Sequence, residues 1–475
     1  MELFGTYDVV VVGGGTEGVA AAIASARAGA NTLLIERLGA LGGQMNVQGP
    51  PGFAYAHMFN PRGEQVIGGI VEETHNRLLK EGHALPHLKP AWRAGYTFSY
   101  VDPDWWGLLM FEMMAENKVN LLLHTMAVDV MKEGDLMKGV IVENTSGRQL
   151  VMGKVFIDCT GEGDLSVMAG VPYEKRALEQ LMRPSIAFTV DGVDWDVVLK
   201  YIKDNPKEFE FRTHPYLKMP DEEMWKQIKA IKKIEEIGNI PDGWFSITEK
   251  GVKNGEMHEF GTIGCFFTPR EGGVIQAHFQ HSAHVPNCDG TDVRDLTYGE
   301  VEARRQAVIA WKFIKKNIPG FEKAYITRVT PELRVRETRR IMCDYKMTEA
   351  DIAAARKFKD VIGKDEYQAG GQHMKHSTML DPKAIFAKDG GSTDIPYRCM
   401  VPLNVEGMLV AGKPICTDES TIKRFIVTTM VTGQAAGVAA AVCAKKGVTP
   451  RQLEKDVKEV QDILVKQGAI LYGTH

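Results

Sequence analysis

The sequence predicts an α/β fold, a parallel sheet extended by a β-meander, with an α+β lobe inserted between its two halves. Three observations predict it. The chain opens with a β-branched run at 7–12, an alanine-rich helical stretch at 16–28 and a second strand-like run at 31–36, which together form a βαβ unit. Residues 119–158 then alternate three apolar runs with turns at Gly134-Asp135 and Ser146-Gly147, the pattern of a meander. From about 176 to 325 the character changes, to a charged, Trp- and Lys-containing stretch at 194–240 and strand-like runs over 244–285. The expected division is therefore 1–175, an inserted lobe at 176–325, and 326–475 returning to the first unit.

Other elements follow from local signals. Helices are expected at 64–80, at 102–117, where Asp102-Pro103 supplies an N-cap and a first-turn proline, and at 298–317. Strand-like runs recur near 325–346 and 395–411, and helices at 433–445 and 450–467 close the chain. The apolar stretch from Val9 to Ala30 is broken by Gly13, Gly14, Gly15 and Gly18, so it reads as a buried strand and helix rather than a leader or membrane span.

Bulk composition narrows the function classes. With 475 residues, 44% hydrophobic and 25% charged, the chain is long enough for a large core without disulfide or metal staples. A formal net charge of -4 argues against a duplex nucleic-acid binder and against a tRNA-modifying role. The seven cysteines are scattered and contain no C-x-x-C pair, so a disulfide framework, a zinc knuckle and an iron–sulfur run are not expected. Reduced thiols in a cytoplasmic protein fit best. A dimer is the common default for such a chain.

The sharpest motif is Gly13-Gly14-Gly15-Thr16-Glu17-Gly18. Gly13 permits the tight turn off the strand, Gly15 lets backbone approach a pyrophosphate, and Gly18 lets the helix pack close to the sheet. The helix start at Thr16 and Glu17 offers free N–H groups to a phosphate. Glu36 ends the next strand, 18 residues past the last glycine, where its carboxylate can accept from a ribose diol. Strand, glycines, helix, strand and acid in this order predict a dinucleotide site. FAD is favoured over NAD because the unit opens the chain and three more glycine-bearing segments accompany it: Leu41-Gly42-Gly43-Gln44, Asp158-Cys159-Thr160-Gly161, and Ala411-Gly412 with Gly433-Gln434-Ala435 beyond.

These segments resemble the FAD-dependent oxidoreductases of the glutathione-reductase-type Rossmann class. More narrowly they are similar to the family marked by Y-R-x-x-V-P and L-L-V-A-G-[RK] segments. The matching pieces are Leu34-Ile35-Glu36-Arg37, Val101-Asp102-Pro103, Ile157-Asp158-Cys159-Thr160-Gly161, Arg336-Glu337-Thr338-Arg339-Arg340, Tyr397-Arg398-Cys399-Met400-Val401-Pro402 and Gly433-Gln434-Ala435-Ala436-Gly437. The resemblance implies that Gly42, Gly43 and Gln44 lie along the pyrophosphate and flavin, and that Thr160, Gly161 and Asp164 flank the adenosine and ribityl region. It places Gly412 near the ribityl chain, and a helix starting at Gly433, with Gln434 and Ala435 in its first turn, against the flavin pyrimidine. Arg37, beside Glu36, joins the cofactor-binding set. Relatives in the wider class carry Asp after the alanine–glycine pair, where this chain has Lys413. Where fumarate-reductase-like relatives attach flavin to a histidine, this chain has Gln44 to Gln48, so the implied FAD is non-covalent.

The implied function is an enzyme that transfers a hydride between a small organic substrate and FAD, as a dehydrogenase or double-bond reductase. The alternatives are a non-catalytic electron-transfer subunit and a flavin monooxygenase. Arg339, His281 and Tyr397 are the candidate catalytic residues. Arg334, Arg336 and Arg340 would share one strand face and Arg339 the other. His281 belongs to the H-x-x-H-x-x-H run of His278, His281 and His284, which lacks the further ligands a metal site needs. His373, His376, Arg398, and His57 with Tyr55 in a Gly/Pro-rich loop complete the candidates. No metal is expected, and the electron donor or acceptor is unassigned.

Overall fold

The computed structural model describes residues 1–48, 55–88, 97–211, 216–217, 219–238, 240–370 and 384–473. The βαβ unit forms as expected. Strand β1 (Glu2–Val12) leads into helix α1 (Thr16–Arg27), and β2 (Thr32–Ile35) pairs parallel to β1. Val9 to Val12 are essentially inaccessible to solvent, as a strand covered on both faces requires. Burial of each such side chain stabilises the fold by about 1.5–3 kcal/mol.

Helix α2 (Ile70–Lys80) starts six residues later than 64, because Gly68 and Gly69 precede it and Gly69 adopts positive φ. Helix α3 (Pro103–Glu116) begins where the sequence places it. The Asp102 carboxylate accepts from the N–H groups of Asp104 and Trp105, and Pro103 occupies the first turn. Strand β3 (Asn120–Leu122) then joins the edge beyond β2. The meander is β4 (Met126–Glu133), β5 (Leu136–Asn144) and β6 (Gly147–Asp158), paired antiparallel in succession.

Strand β6 does double service. It ends the meander and pairs parallel to β1 along nearly its whole length, giving the order β3-β2-β1-β6-β5-β4. The short strand Met408–Val410 returns from the far end of the sequence to pair parallel with the end of β6. The sheet is thus assembled from both ends of the chain.

A second sheet is formed by Phe188–Asp191, Ile240–Gly243, Ile263–Arg270, Val274–Phe279 and Tyr325–Val329. It carries its own buried cluster, which includes Phe188, Phe266, Phe279, Phe321 and Trp244. Helix Val293–Asn317 starts earlier than 298 because Asp292 caps it through the N–H groups of Arg294 and Asp295. Residues 245–253 form a helix rather than the strand expected there; Trp244 in the left-handed region turns the chain out of the preceding strand. Of the run 325–346, only Tyr325–Val329 and Arg340–Ile341 are strands. The terminal helix is split into Pro450–Leu453 and Lys458–Lys466, with Asp456 accepting from the Lys458 N–H at the break.

The helix Ile426–Lys446 packs directly against α1, and both helices touch the first sheet. It is the one described helix long and apolar enough to cross a membrane, and 94% of its apolar window is buried inside the protein. Gly433 and Gly437, one helical turn apart, make the crossing close. A Cβ at Gly433 would stand 2.1 Å from the Glu17 carbonyl oxygen, and one at Gly437 2.1 Å from that of Ala21.

Candidate functional site

A cavity of about 500 Å³ opens at the carboxyl ends of β1, β2 and β6. That is the crevice where open parallel sheets bind ligands, and its size falls in the ordinary range for small-molecule sites. Gly13 leaves β1 with φ +101°, and a Cβ there would lie 2.1 Å from the Cys159 carbonyl oxygen. Gly18 packs α1 on the same turn, since its Cβ would fall 1.8 Å from the Gly13 oxygen. Gly15 is different: an added Cβ would meet only the Glu17 side chain, at 3.4 Å or more. Gly15 faces the cavity, so a side chain there would project into the cavity rather than into a tight turn.

The second glycine loop is tied to the first. The Gly42 N–H donates to the Gly14 carbonyl at 2.8 Å, and a Cβ on Gly43 would touch Gly15 Cα at 3.0 Å. Gly43 and Gln44 line the cavity, while Gly42, with φ +117°, shapes the turn behind them. Backbone from two loops thus lines this part of the cavity, with the Glu17 side chain beside it.

Glu36 lines the same cavity and is nearly buried. Its two carboxylate oxygens accept from the N–H groups of Gly14, at 2.6 Å, and Leu38, at 2.8 Å. Burial raises its pKa, and those two donors oppose the rise. Each carboxylate oxygen keeps a further lone pair for a diol. Arg37 also lines the cavity, but its guanidinium pairs with Glu332 at 2.7 Å across the rim.

Past β6, Asp158 organises the next turn. One oxygen accepts from the Thr160 N–H and hydroxyl, the other from the Ser166 N–H and hydroxyl. The Thr160 hydroxyl in turn accepts from the Asp164 N–H at 2.7 Å. Thr160, Gly161 and Asp164 all line the cavity. Arg339 does not line it. Its guanidinium holds Asp164 at 2.6 Å and lies over the Tyr173 ring, so it positions the wall from behind.

The sequence reading missed one pair. Lys413 and Glu162 both line the cavity, with Lys413 Nζ 2.7 Å from Glu162 Oε1. Burial raises the Glu162 pKa, and the Lys413 ammonium opposes it. Lys413 was legible only as a departure from the aspartate of the wider class; the fold brings an acid, Glu162, from another segment to the same place. Glu17 also reaches the cavity. Burial raises its pKa, and the Thr16 hydroxyl donates to it at 2.9 Å.

Several expected residues stand elsewhere. Thr16 is buried against Thr429, hydroxyl to hydroxyl at 2.8 Å, and does not line the cavity. Gly412 abuts the Glu17 side chain, 2.6 Å from where its Cβ would be. Gly433, Gln434 and Ala435 are corrected from a helix start to a helix interior. The helix begins seven residues earlier, at Ile426, and reaches the cavity through Thr429. Ile426 to Thr432 is mostly β-branched and reads as strand, which hid the true start. Gln434 instead accepts from the Ile70 N–H at 3.1 Å and anchors α2.

Tyr397 is a core residue. It is inaccessible to solvent, its hydroxyl donates to the Pro450 carbonyl at 3.0 Å, and burial pushes its pKa well up. His281 is buried with His278 and His284 in the second sheet's region and is not among the residues lining the cavity. Its ring lies edge-on to His284, and His278 Nδ1 meets the Thr189 hydroxyl at 3.1 Å. Arg334, Arg336 and Arg340 are buried, while Val335 faces the cavity between the first two. Arg334 donates to Gln280 Oε1 at 2.5 Å, and Arg336 to the Arg183 carbonyl at 2.7 Å. Arg398 pairs with Asp360 at 2.9 Å. His57 is buried and pairs with Glu366, and the Tyr55 hydroxyl shares a hydrogen bond with Thr74. His373 and His376 lie outside the described residues.

These features fit FAD. The exposed glycine backbone suits a pyrophosphate and Glu36 a ribose diol, and the same cavity is lined by Lys413, Thr429, Val335, Leu333 and Leu296. Three solved structures are among those that this chain is similar to. A geranylgeranyl bacteriochlorophyll reductase-like protein from Thermoplasma acidophilum shares 14% identity over 97% of this chain and 87% of its own, with TM-score 0.46. The myxobacterial chondrochloren halogenase CndH shares 10% identity over 95% and 78%, with TM-score 0.47. The p-nitrophenol 4-monooxygenase PnpA from Pseudomonas putida shares 10% over 98% and 89%, with TM-score 0.45. No curated protein matches the chain. The family model for FAD dependent oxidoreductases matches residues 8–464, and the protein belongs to that family, an FAD-binding enzyme of oxidation and reduction.

Proposed function

We propose that this enzyme exchanges a hydride between a small organic substrate and non-covalently held FAD. The observation that carries the reading is the continuity of the cavity. One cavity is lined both by the glycine loops, at Gly15 and Gly43, and by Gly290 and Leu296 of the inserted lobe, with Leu333 and Val335 beside them. Bound FAD supplies the hydride acceptor or donor, and the protein supplies orientation and electrostatics. Lys413 and Glu162 are the ion pair in the wall of that cavity, and their charges are placed to orient a polar substrate or cofactor group.

A second reading, flavin monooxygenation, is favoured by one observation. His281 and Tyr397, the acid–base candidates, both stand away from the cavity. Oxygen insertion does not require a side chain to take a hydroxyl proton from the substrate. The two readings separate on oxygen. Anaerobic bleaching of the flavin by a candidate alcohol, amine or acid supports hydride exchange. Bleaching only by NAD(P)H, followed by incorporation of labelled dioxygen into product, supports monooxygenation. Precipitation with acid tests the mode of attachment: yellow supernatant supports non-covalent FAD, and yellow pellet refutes it.

A further inference from the structure

Away from the cavity, α2 and the segment that follows it bring Glu72, His75 and His87 together. Glu72 and His75 stand three residues apart on α2 and so project from one face. His87 is brought back to that face by the bonds from the His83 N–H to the Leu78 carbonyl and from the Leu88 N–H to the Phe98 carbonyl. One ligand atom from each of the three residues lies within 4.8 Å of the other two. His87 Nε2 is 3.2 Å from Glu72 Oε2, and the His75 and His87 rings stack with centroids 4.1 Å apart.

The hydrogen bonds around His75 fix its tautomer. The Ser99 hydroxyl donates to the Leu85 carbonyl at 2.5 Å. His75 Nε2 is 2.6 Å from that hydroxyl and 3.0 Å from the same carbonyl. With the hydroxyl proton committed, Nε2 must carry its own proton, and the lone pair resides on Nδ1. His75 is inaccessible to solvent, and its Nδ1 has no hydrogen-bond partner among the described residues. His87 Nδ1 is likewise buried without one.

We propose that Glu72, His75 and His87 bind one divalent first-row transition ion, with Zn²⁺ as the representative. Two imidazoles and a carboxylate are a common donor set for such ions. Ligand atoms each about 2.0–2.1 Å from a tetrahedral zinc lie about 3.3 Å apart, and the Glu72–His87 pair already meets that spacing. The bond from His75 Nε2–H to a backbone carbonyl is the outer-shell contact that orients a ligating histidine. The Glu72 and His87 side chains are 24% and 14% exposed, which leaves water access to the remaining position. No metal signal is legible in the sequence, because the second histidine follows the helix at no familiar motif spacing.

The test uses untagged, FAD-loaded protein dialysed against a chelator and titrated calorimetrically with ZnCl₂. The expected result is one Zn²⁺ per chain, with affinity reduced at least about tenfold in both His87→Ala and Glu72→Gln. Flavin absorbance is retained in both variants, which separates this site from the cavity. Glu72→Gln, at a half-buried position, serves where His87→Ala fails to fold. Absence of stoichiometric binding to the wild-type protein overturns the proposal and leaves an ordinary histidine–glutamate pair. Undiminished binding by the folded variants places the ion elsewhere and overturns it equally.

Discussion

Lys413 Nζ lies 2.7 Å from Glu162 Oε1 in the cavity wall, although the two residues are 251 positions apart in the chain. Lys413 is almost wholly buried and also donates to the Val335 carbonyl. This pair gives the cavity its one lysine–carboxylate bridge among the described residues, and its loss has a defined sign.

Lys413→Met removes the cation that opposes the burial-raised pKa of Glu162. A carboxyl whose folded pKa lies above its unfolded value favours the folded state less as pH rises. The penalty is absent below the unfolded value of 4.5 and grows as pH climbs from there through the folded pKa. The deficit of the variant relative to wild type in melting temperature is therefore expected to widen as pH rises from about 4.5 to 8. A difference that is the same at both pH values would contradict this.

Gly15→Glu and Gly433→Val should fail in different ways. The first places a chain in the phosphate path with little clash, so the protein should fold and elute colourless. The second drives a side chain into the Glu17 carbonyl, at 2.1 Å for the Cβ alone, and should cost about 1–3 kcal/mol or more of stability. The ratio of visible to ultraviolet absorbance and a thermal melt distinguish them.

Tyr397→Phe should preserve turnover and lower stability by about 1–3 kcal/mol, because the buried Pro450 carbonyl loses its donor. A large fall in kcat with unchanged melting temperature would restore Tyr397 to a catalytic role.

Glu36→Gln replaces one acceptor oxygen by an amide NH₂ that faces either the Gly14 or the Leu38 N–H. The glycine loop then loses an anchor. FAD affinity should fall about tenfold, in line with one charge-assisted hydrogen bond. Titration of apo-protein with FAD, followed by fluorescence quenching, measures it.

The parts of the site legible in the sequence are those whose partners lie nearby in the chain. Gly13, Gly15, Gly18 and Glu36 sit in one βαβ unit, and their spacing alone fixes a turn, a close helix and an acid at the next strand's end. The Asp102-Pro103 helix start was legible for the same reason. Gly433, Gln434 and Ala435 were placed at a helix start because the β-branched run at 426–432 has low helix propensity, whereas in the fold that run is helical and the helix packs on α1. His281 and Tyr397 carry plausible chemistry, yet the tertiary structure buries both away from the cavity.

The sequence by itself determined the α/β class and the glycine turns, because hydrophobic period and turn glycines act over short distances, and its motifs carried the resemblance to the FAD family. Tertiary structure alone decided that Lys413 meets Glu162, that Arg339 braces Asp164 from behind the wall, and that His87 returns to the face of α2. Each of these joins residues far apart in the chain or on separate elements. Their meeting depends on which strands pair and which helices cross, and local propensity carries no record of that.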